Sequence, residues 1–343
     1  YHEGELRETN NPMDLALRGD GFFALMNENG DSVYTRDGQF YVNSQGEMVN
    51  SMGHQFSDVG GGVIQTIPGG GDLTIDKEGQ IFQNGQSVVN GWLAIPSSFS
   101  AEIMAHQGWD SLTVDLQHGV SDYQTAISML QAIGTTDTVP LARVPWLEEG
   151  IIMRMLDAGV YGIICPMVNT REDAERFVQA CYYPPQGQRS FGPIRAMLSS
   201  GADYPSHAND HILPIAMIET KQALDNLEEI LKVDGLRMVY IGPSDLSNSL
   251  GCTPTFDQEE KPVVEAIDYI LRKSLEHDVI PGIHNGFPPY ALRMIEKGFR
   301  FVTVSSDSRL LTMNAKSFVD EMREGMGKGE LDRDSKGSPS QGY

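Results

Sequence analysis

The sequence predicts an α/β protein, a (β/α)8 TIM barrel preceded by a small all-β domain, and three observations carry that prediction. Eight short, nearly continuous apolar runs, each followed by a segment of helical period, fill about 240 residues beyond Val88, the size of such a barrel. Strands that are apolar on both faces and alternate strictly with helices imply a parallel sheet. Ahead of them, the stretch from Gly19 to about Gly85 is a series of short β-like runs punctuated by turn residues. An open doubly wound sheet is the competing architecture, but no GxGxxG follows any apolar run, which removes its usual cofactor signature. At roughly 100–200 residues per domain, the 343 residues divide into a β-rich domain over 1–86, a barrel over 87–325 and a tail over 326–343. That tail is polar and Gly/Ser-rich, and is expected to be disordered.

The β-like runs are GFFALM, SVYTR, QFYVN, EMVN, DLTID and QIFQ, separated by pairs such as Asp37-Gly38, Gln45-Gly46, Glu78-Gly79 and Asn84-Gly85. Glycine in such pairs supplies the positive φ of tight hairpins, so the region reads as a β-meander. The glycine clusters at 60–62 and 69–71 have no following helix or GK[ST] and read as loops, not phosphate cradles. The expected barrel strands are 91–95, 111–116, 139–144, 162–167, 213–218, 238–241, 279–283 and 299–304. Between them lie segments such as DYQTAISMLQAI and KPVVEAIDYILRKSLEH, with apolar residues recurring at three and four. The longest connection, 183–211, is expected to be a functional or disordered loop.

Composition narrows the partners. Forty-seven Asp and Glu against 25 Lys and Arg give a net charge of −22, which repels phosphate backbones and anionic lipid heads. No local basic patch offsets it, so neither nucleic acid nor a membrane is expected as a partner. The three cysteines, Cys165, Cys181 and Cys252, have no CxxC spacing, suggesting neither a disulfide framework nor a thiolate zinc site. No apolar run approaches the ~20 residues that span a bilayer, and no charged-then-apolar segment reads as a signal peptide. A cytoplasmic protein is expected.

In a barrel of this kind the C-terminal ends of the strands face a common mouth. The polar residues there are Asp115, Gln117 and His118 after the second strand, Arg143 after the third, Glu219 after the fifth, and Gly242-Pro243-Ser244-Asp245 after the sixth. Glu219 and Asp245 are hard oxygen donors suited to Mg²⁺ or Mn²⁺, with water and substrate oxygens completing the shell. As carboxylates at strand-to-helix junctions they would serve equally as helix caps, and on spacing alone the two readings stand level. His118 lies three residues beyond Asp115, whose carboxylate could raise its basicity as a general base requires; a hydrogen-bonded loop histidine is the alternative. His284 also lies at a strand end. Arg143 suits a substrate carboxylate or a developing enolate oxygen, or an ion pair with a nearby acid. No expected strand carries a lysine, which favours a metal-dependent mechanism over an imine.

From about Gly91 to Leu311 the chain resembles the class II, metal-dependent pyruvate aldolases of the 4-hydroxy-2-oxoheptanedioate aldolase type. The matching stretches are VDLQHG (114–119), ARVPW (142–146), CPMVNT (165–170), YPPQGQRSFGP (183–193), IET (218–220) and GPSDLS (242–247). The resemblance implies that Glu219 and Asp245 hold a divalent metal, Mg²⁺ or Mn²⁺ with Co²⁺ as a further candidate. It makes His118 with Asp115 the catalytic base dyad and Arg143 the group on the keto oxygen of pyruvate. Gly242, Pro243, Ser244, Gln117 and Met217 join Arg143 as expected substrate contacts. It also implies a homo-oligomer, with the last helix, expected over 312–326, exchanged between neighbours. Two positions depart from the pattern: Gln117 stands where many members have glutamate, and Met217 where many have glutamine. Neither removes a metal ligand.

The first 86 residues resemble something unrelated. NPMDLALRGDGFFAL (11–25), YTRDGQF (34–40) and IPGGGDLTIDKEGQIFQNGQ (67–86) are similar to the β domain of flagellar basal-body rod and hook proteins. Those proteins assemble through long terminal helices, which this sequence does not show. The expected function is therefore a metal-dependent aldolase acting through a pyruvate enolate. The rival is a flagellar rod- or hook-related structural fusion with flagellar partners, whose barrel is a passenger or inactive. A second rival, a citrate-lyase-like enzyme on a thioester, lacks a basic patch for coenzyme A.

Overall fold

A computed structural model describes residues 14–16, 22–27, 30–43, 47–57, 64, 73–75, 81–83 and 87–326. The chain divides into two compact units, residues 1–86 and 87–343.

In the first unit, β1 (Phe23–Met26), β2 (Ser32–Thr35), β3 (Phe40–Val42), β4 (Met48–Asn50) and β5 (Gln55–Phe56) form an antiparallel sheet in the order β2-β1-β5-β4-β3. Two further strands, β6 (Leu73–Ile75) and β7 (Ile81–Gln83), pair with each other. Phe23, Leu25, Phe40 and Met48 make the small core, with Phe23 edge-on to Phe40 at 5.2 Å between centroids. The expected meander holds for the β1-β2 hairpin, the β3-β4-β5 run and the β6-β7 pair, but β2 and β3 lie at opposite edges, because β5 pairs back onto β1. Gly30 has the positive φ of its turn, +83°. Gly38 does not, and serves close approach instead: a Cβ there would lie 1.7 Å from the carbonyl oxygen of Leu15. The turns at Gln45-Gly46, Glu78-Gly79 and Asn84-Gly85, and the clusters at 60–62 and 69–71, lie outside the described residues.

The second unit is a closed parallel barrel of eight strands: β8 (Val88–Leu93), β9 (Ser111–Asp115), β10 (Val139–Arg143), β11 (Gly162–Cys165), β12 (Leu213–Ile218), β13 (Met238–Ile241), β14 (Ile280–Asn285) and β15 (Phe301–Val304). The covering helices are α1 (Ser98–Ala105), α2 (Tyr123–Ile133), α3 (Glu149–Asp157), α4 (Arg171–Cys181), α5 (Ile194–Ser200), α6 (Tyr204–His211), α7 (Lys221–Asp225), α8 (Leu227–Leu231), α9 (Pro243–Ser249), α10 (Lys261–Glu276), α11 (Pro288–Lys297) and α12 (Asp307–Gly325). Helix starts follow local chemistry. Thr170 and Asp173 form a reciprocal capping box on α4, which satisfies two of the amide N–H groups a helix start leaves without partners. The 183–211 connection is not a bare loop: it carries α5 and α6, broken at Gly201 with φ +97°. The tail beyond Met326 lies outside the described residues.

Inside the barrel, Trp92, Leu141, Ile164, Ile215, Met217, Met238, Tyr240 and Phe301 pack together. Beside them Asn90, fully buried, donates to Thr303 Oγ1 and accepts from Ser111 and Thr113. Among the described residues no helix is long and apolar enough to cross a membrane.

Candidate active site

Two neighbouring strands end in opposite charges. In the parallel ladder of β9 and β10, Asp115 and Arg143 are register partners, so their side chains leave the barrel together. Arg143 Nε donates to Asp115 Oδ1 at 2.8 Å and Nη2 to Oδ2 at 2.6 Å, a bidentate fork. Burial alone would raise the Asp115 carboxyl, but the Arg143 charge and its hydrogen bonds outweigh that and hold it below the usual carboxylate range. Trp92 Nε1 also donates to Asp115, at 3.2 Å, and the indole lies under the guanidinium at 4.8 Å. The backbone N–H groups of Gln117, His118 and Gly119 complete the shell of Asp115. Gly119 is required there, since a Cβ would lie 2.2 Å from the Asp115 carbonyl oxygen. Asp115 thus orients Arg143 and shapes the turn carrying His118. Burial first, then Arg143, lowers the pKa of His118, while the charges of Asp115 and Asp245 oppose that; the imidazole is neutral near pH 7.

Opposite this pair, Glu219 follows β12 directly and is 2% exposed. Its Oε1 accepts the Met167 N–H at 2.8 Å. Met167 presents that N–H from a left-handed backbone, φ 57°, which costs a non-glycine residue about 1 kcal/mol or more. The second oxygen, Oε2, accepts no hydrogen bond from the described residues. It faces Gly242, where a Cβ would lie 2.5 Å from it. Burial, with the Asp245 charge adding to it against the Met167 N–H, pushes the Glu219 carboxyl up to about 7. Asp245 sits in the first turn of α9.

A cavity of about 350 Å³ opens between them, lined by Asp115, His118, Arg143, Met217, Gly242, Pro243, Ser244 and Asp245 of the expected residues. Glu219 and Gln117 are not among its lining residues. The Gln117 Oε1 and Ser244 Oγ are buried without partners. Among the described residues no three His, Cys, Asp or Glu converge on one point; the carboxylates on this side are those of Glu219 and Asp245. Their chemistry suits a divalent cation: hard oxygens, one with an unused lone-pair edge, in a place where a carboxylate alone resists ionisation.

The far wall is formed by Trp92, Phe256, His284 and Arg309; of these the sequence pointed only to His284, by its place at a strand end. Tyr240 donates its proton to Thr303 Oγ1 at 2.6 Å and lies 2.9 Å from His284 Nδ1. Tyr240 thus ties the His284 ring to the barrel interior through Nδ1. Burial, then Arg143, pushes His284 down to about 3, so it stays neutral.

Comparison with known proteins gives two family matches that overlap over residues 90–115, at the start of the barrel. The HpcH/HpaI aldolase/citrate lyase family model matches residues 90–312, and the flagellar hook protein FlgE/F/G D1 domain model matches residues 16–115. The chain is 38% identical over 249 residues to the hydroxypyruvate/pyruvate aldolase of Rhizorhabdus wittichii, covering 73% of this chain and 99% of that one. It is 35% identical over 238 residues to the 4-hydroxy-2-oxo-heptane-1,7-dioate aldolase of Shigella flexneri, covering 68% of this chain and 88% of the relative. The crystal structure of a HpcH/HpaI aldolase/citrate lyase family protein from Burkholderia cenocepacia J2315 superposes with a TM-score of 0.66 at 30% identity, covering 70% of this chain and 95% of that one. The chain belongs to the HpcH/HpaI aldolase/citrate lyase family, as a metal-dependent aldolase joined to a region similar to a flagellar hook D1 domain.

Proposed function

We propose that the protein makes or cleaves 4-hydroxy-2-oxo acids through the enolate of pyruvate. The observation that carries this reading is the buried Arg143–Asp115 fork placed across one cavity from Asp245, with Glu219 behind Gly242. Two of the five guanidinium N–H groups of Arg143 are spent on Asp115, and the others remain for the carboxylate and the 2-oxo oxygen of pyruvate. Fixed charge aimed at the enolate oxygen in a site poor in water is worth far more than in bulk solvent. Glu219 and Asp245 would hold Mg²⁺ or Mn²⁺, whose contribution is Lewis-acid polarisation of the 2-oxo group. In the cleavage direction neutral His118 accepts the proton of the 4-hydroxyl as the carbon–carbon bond breaks, and in synthesis it returns that proton. Trp92, Met217 and Phe256 keep the cavity walls apolar.

The rival reading, a structural protein with an inactive barrel, is disfavoured because Asp115, His118, Arg143 and Asp245 all reach the same cavity. Three free cysteines fit a reducing compartment such as the cytoplasm. The exposed Leu311, Phe318 and Met322 of α12 fit a homo-oligomer that covers them.

The test is pyruvate release from 4-hydroxy-2-oxo acids by the purified chain and by Glu219→Gln and Asp245→Asn. Each variant is expected to lose at least 100-fold in kcat/KM. Wild-type rates in both would remove the metal assignment.

A further inference from the structure

The cavity holds two arginines, and they are employed differently. Arg143 is committed through Nε and Nη2 to Asp115. Arg309, in the first turn of α12, forms no ion pair with any described carboxylate, and its Nε is buried without a hydrogen-bond partner. Its guanidinium carbon lies 5.4 Å from the ring centroid of Phe256 and 5.6 Å from that of Phe287. A guanidinium supported on aromatic faces keeps its N–H edge for a planar partner.

The charges around it leave that edge open. Asp257 feels Arg309, but it accepts the Gly286 N–H at 2.7 Å and a second bond from the Phe287 amide, and it lies beyond ion-pair distance. His284, whose ring centroid lies 4.6 Å from that of Phe256, is neutral. The position of Arg309 is also fixed. Asp307 accepts the N–H groups of Ala94 and Ile95 at 2.9 and 3.2 Å and the hydroxyl of Ser100, while Ser306 Oγ accepts the Arg309 N–H. Ala94 and Ile95 line the same cavity, so the start of α12 is clamped to its lip. A buried donor without a partner is costly in a native protein, and Arg309 Nε is such a donor at the rim of this cavity.

We propose that Arg309 determines acceptor specificity, receiving the carboxylate of an aldehyde that carries one. The inference rests on the aldolase reading: with pyruvate addressed by Arg143 and the Glu219 and Asp245 side, the α12 wall is left for the acceptor. A carboxylate matches the guanidinium fork in plane and charge, and in a chain of net charge −22 an uncommitted cavity cation selects for an anion.

The experiment uses the full chain with Mn²⁺ and measures aldol formation from pyruvate with 4-oxobutanoate and with butanal, of equal carbon number. Wild type is expected to favour the acidic acceptor at least tenfold in kcat/KM. Arg309→Met is expected to collapse that ratio tenfold or more, through KM for the acidic acceptor, and Arg309→Lys to restore part of it. Equal use of both acceptors by wild type, or an unaltered ratio in Arg309→Met, overturns the proposal. Exchange of the pyruvate methyl protons, followed in the same samples, separates the two failures. Exchange without acceptor discrimination overturns the role of Arg309 alone, and its absence in wild type overturns the aldolase reading and this inference together.

Discussion

Replacing Asp115 by Asn removes one charge from a pair in which both members are buried, 2% and 8% exposed. The side chain keeps its shape, but Arg143 loses its counter-ion, and an amide group replaces one of the two oxygens it binds at 2.8 and 2.6 Å. Leaving one member of a buried ion pair uncompensated costs about 3–5 kcal/mol. For a unit of this size that lowers Tm by roughly 6–20 °C, at about 2–4 °C per kcal/mol. Tryptophan fluorescence is the right probe, because Trp92, Trp109 and Trp146 all lie beyond residue 86 and report on the barrel alone. Urea unfolding of wild type, Asp115→Asn and the double variant Asp115→Leu/Arg143→Met should show the single variant as the least stable. The double variant should recover most of the loss without recovering activity, since apolar residues of similar volume substitute for a buried pair in stability but not in charge. A single variant within about 1 kcal/mol of wild type would refute the claim that the pair is buried and mutually dependent.

Other consequences are equally direct. His284 is held at about 3 against 6.5 in the unfolded chain, so the unfolded chain takes up a proton below pH 6.5 that the folded one refuses. The stabilisation is complete above pH 6.5 and is lost as pH falls toward 3. At pH 5 the loss is about 2 kcal/mol, and urea midpoints at pH 5 and 7 should show it in wild type but not in His284→Gln. Gly242→Ala places a Cβ 2.5 Å from Glu219 Oε2 and 2.9 Å from Met217 Cε, so Mn²⁺ affinity by calorimetry should fall at least tenfold; unchanged affinity would remove Glu219 from the ligand set. Lysine at Leu311, Phe318 and Met322, which are 64%, 69% and 65% exposed, should shift sedimentation toward the monomer, whereas an unchanged oligomer would place the interface elsewhere.

The barrel was legible because its strands are apolar on both faces, and the eight runs fall on the eight strands. The first strand begins at Val88, not 91, because Asn90 breaks the apolar pattern while its amide makes three hydrogen bonds inside the barrel. Helices α5 and α6 were missed because seven and eight residues hold barely two turns of period. In the first unit β5 is two residues long; its pairing with β4 is a local hairpin through Gly53, but its pairing with β1 is non-local and no turn residue signals it. Strand-end charges made Asp115, Arg143, Glu219 and Asp245 visible in the sequence. Their division of labour was not, because the register that joins Asp115 to Arg143 exists only in the closed sheet. Tyr240 is hidden inside an apolar run, and Arg309 looks like any residue opening a helix until α12 is seen at the cavity lip.

The central claim is that this cavity forms the enolate of pyruvate. It is tested most directly by proton NMR of pyruvate in D2O with the purified chain, which needs no knowledge of the aldehyde. The account predicts methyl-proton exchange that stops with EDTA, returns with Mn²⁺ or Mg²⁺, and is lost in Arg143→Met. Exchange indifferent to the chelator and to Arg143→Met, or no exchange by the folded barrel with any divalent metal, would contradict it.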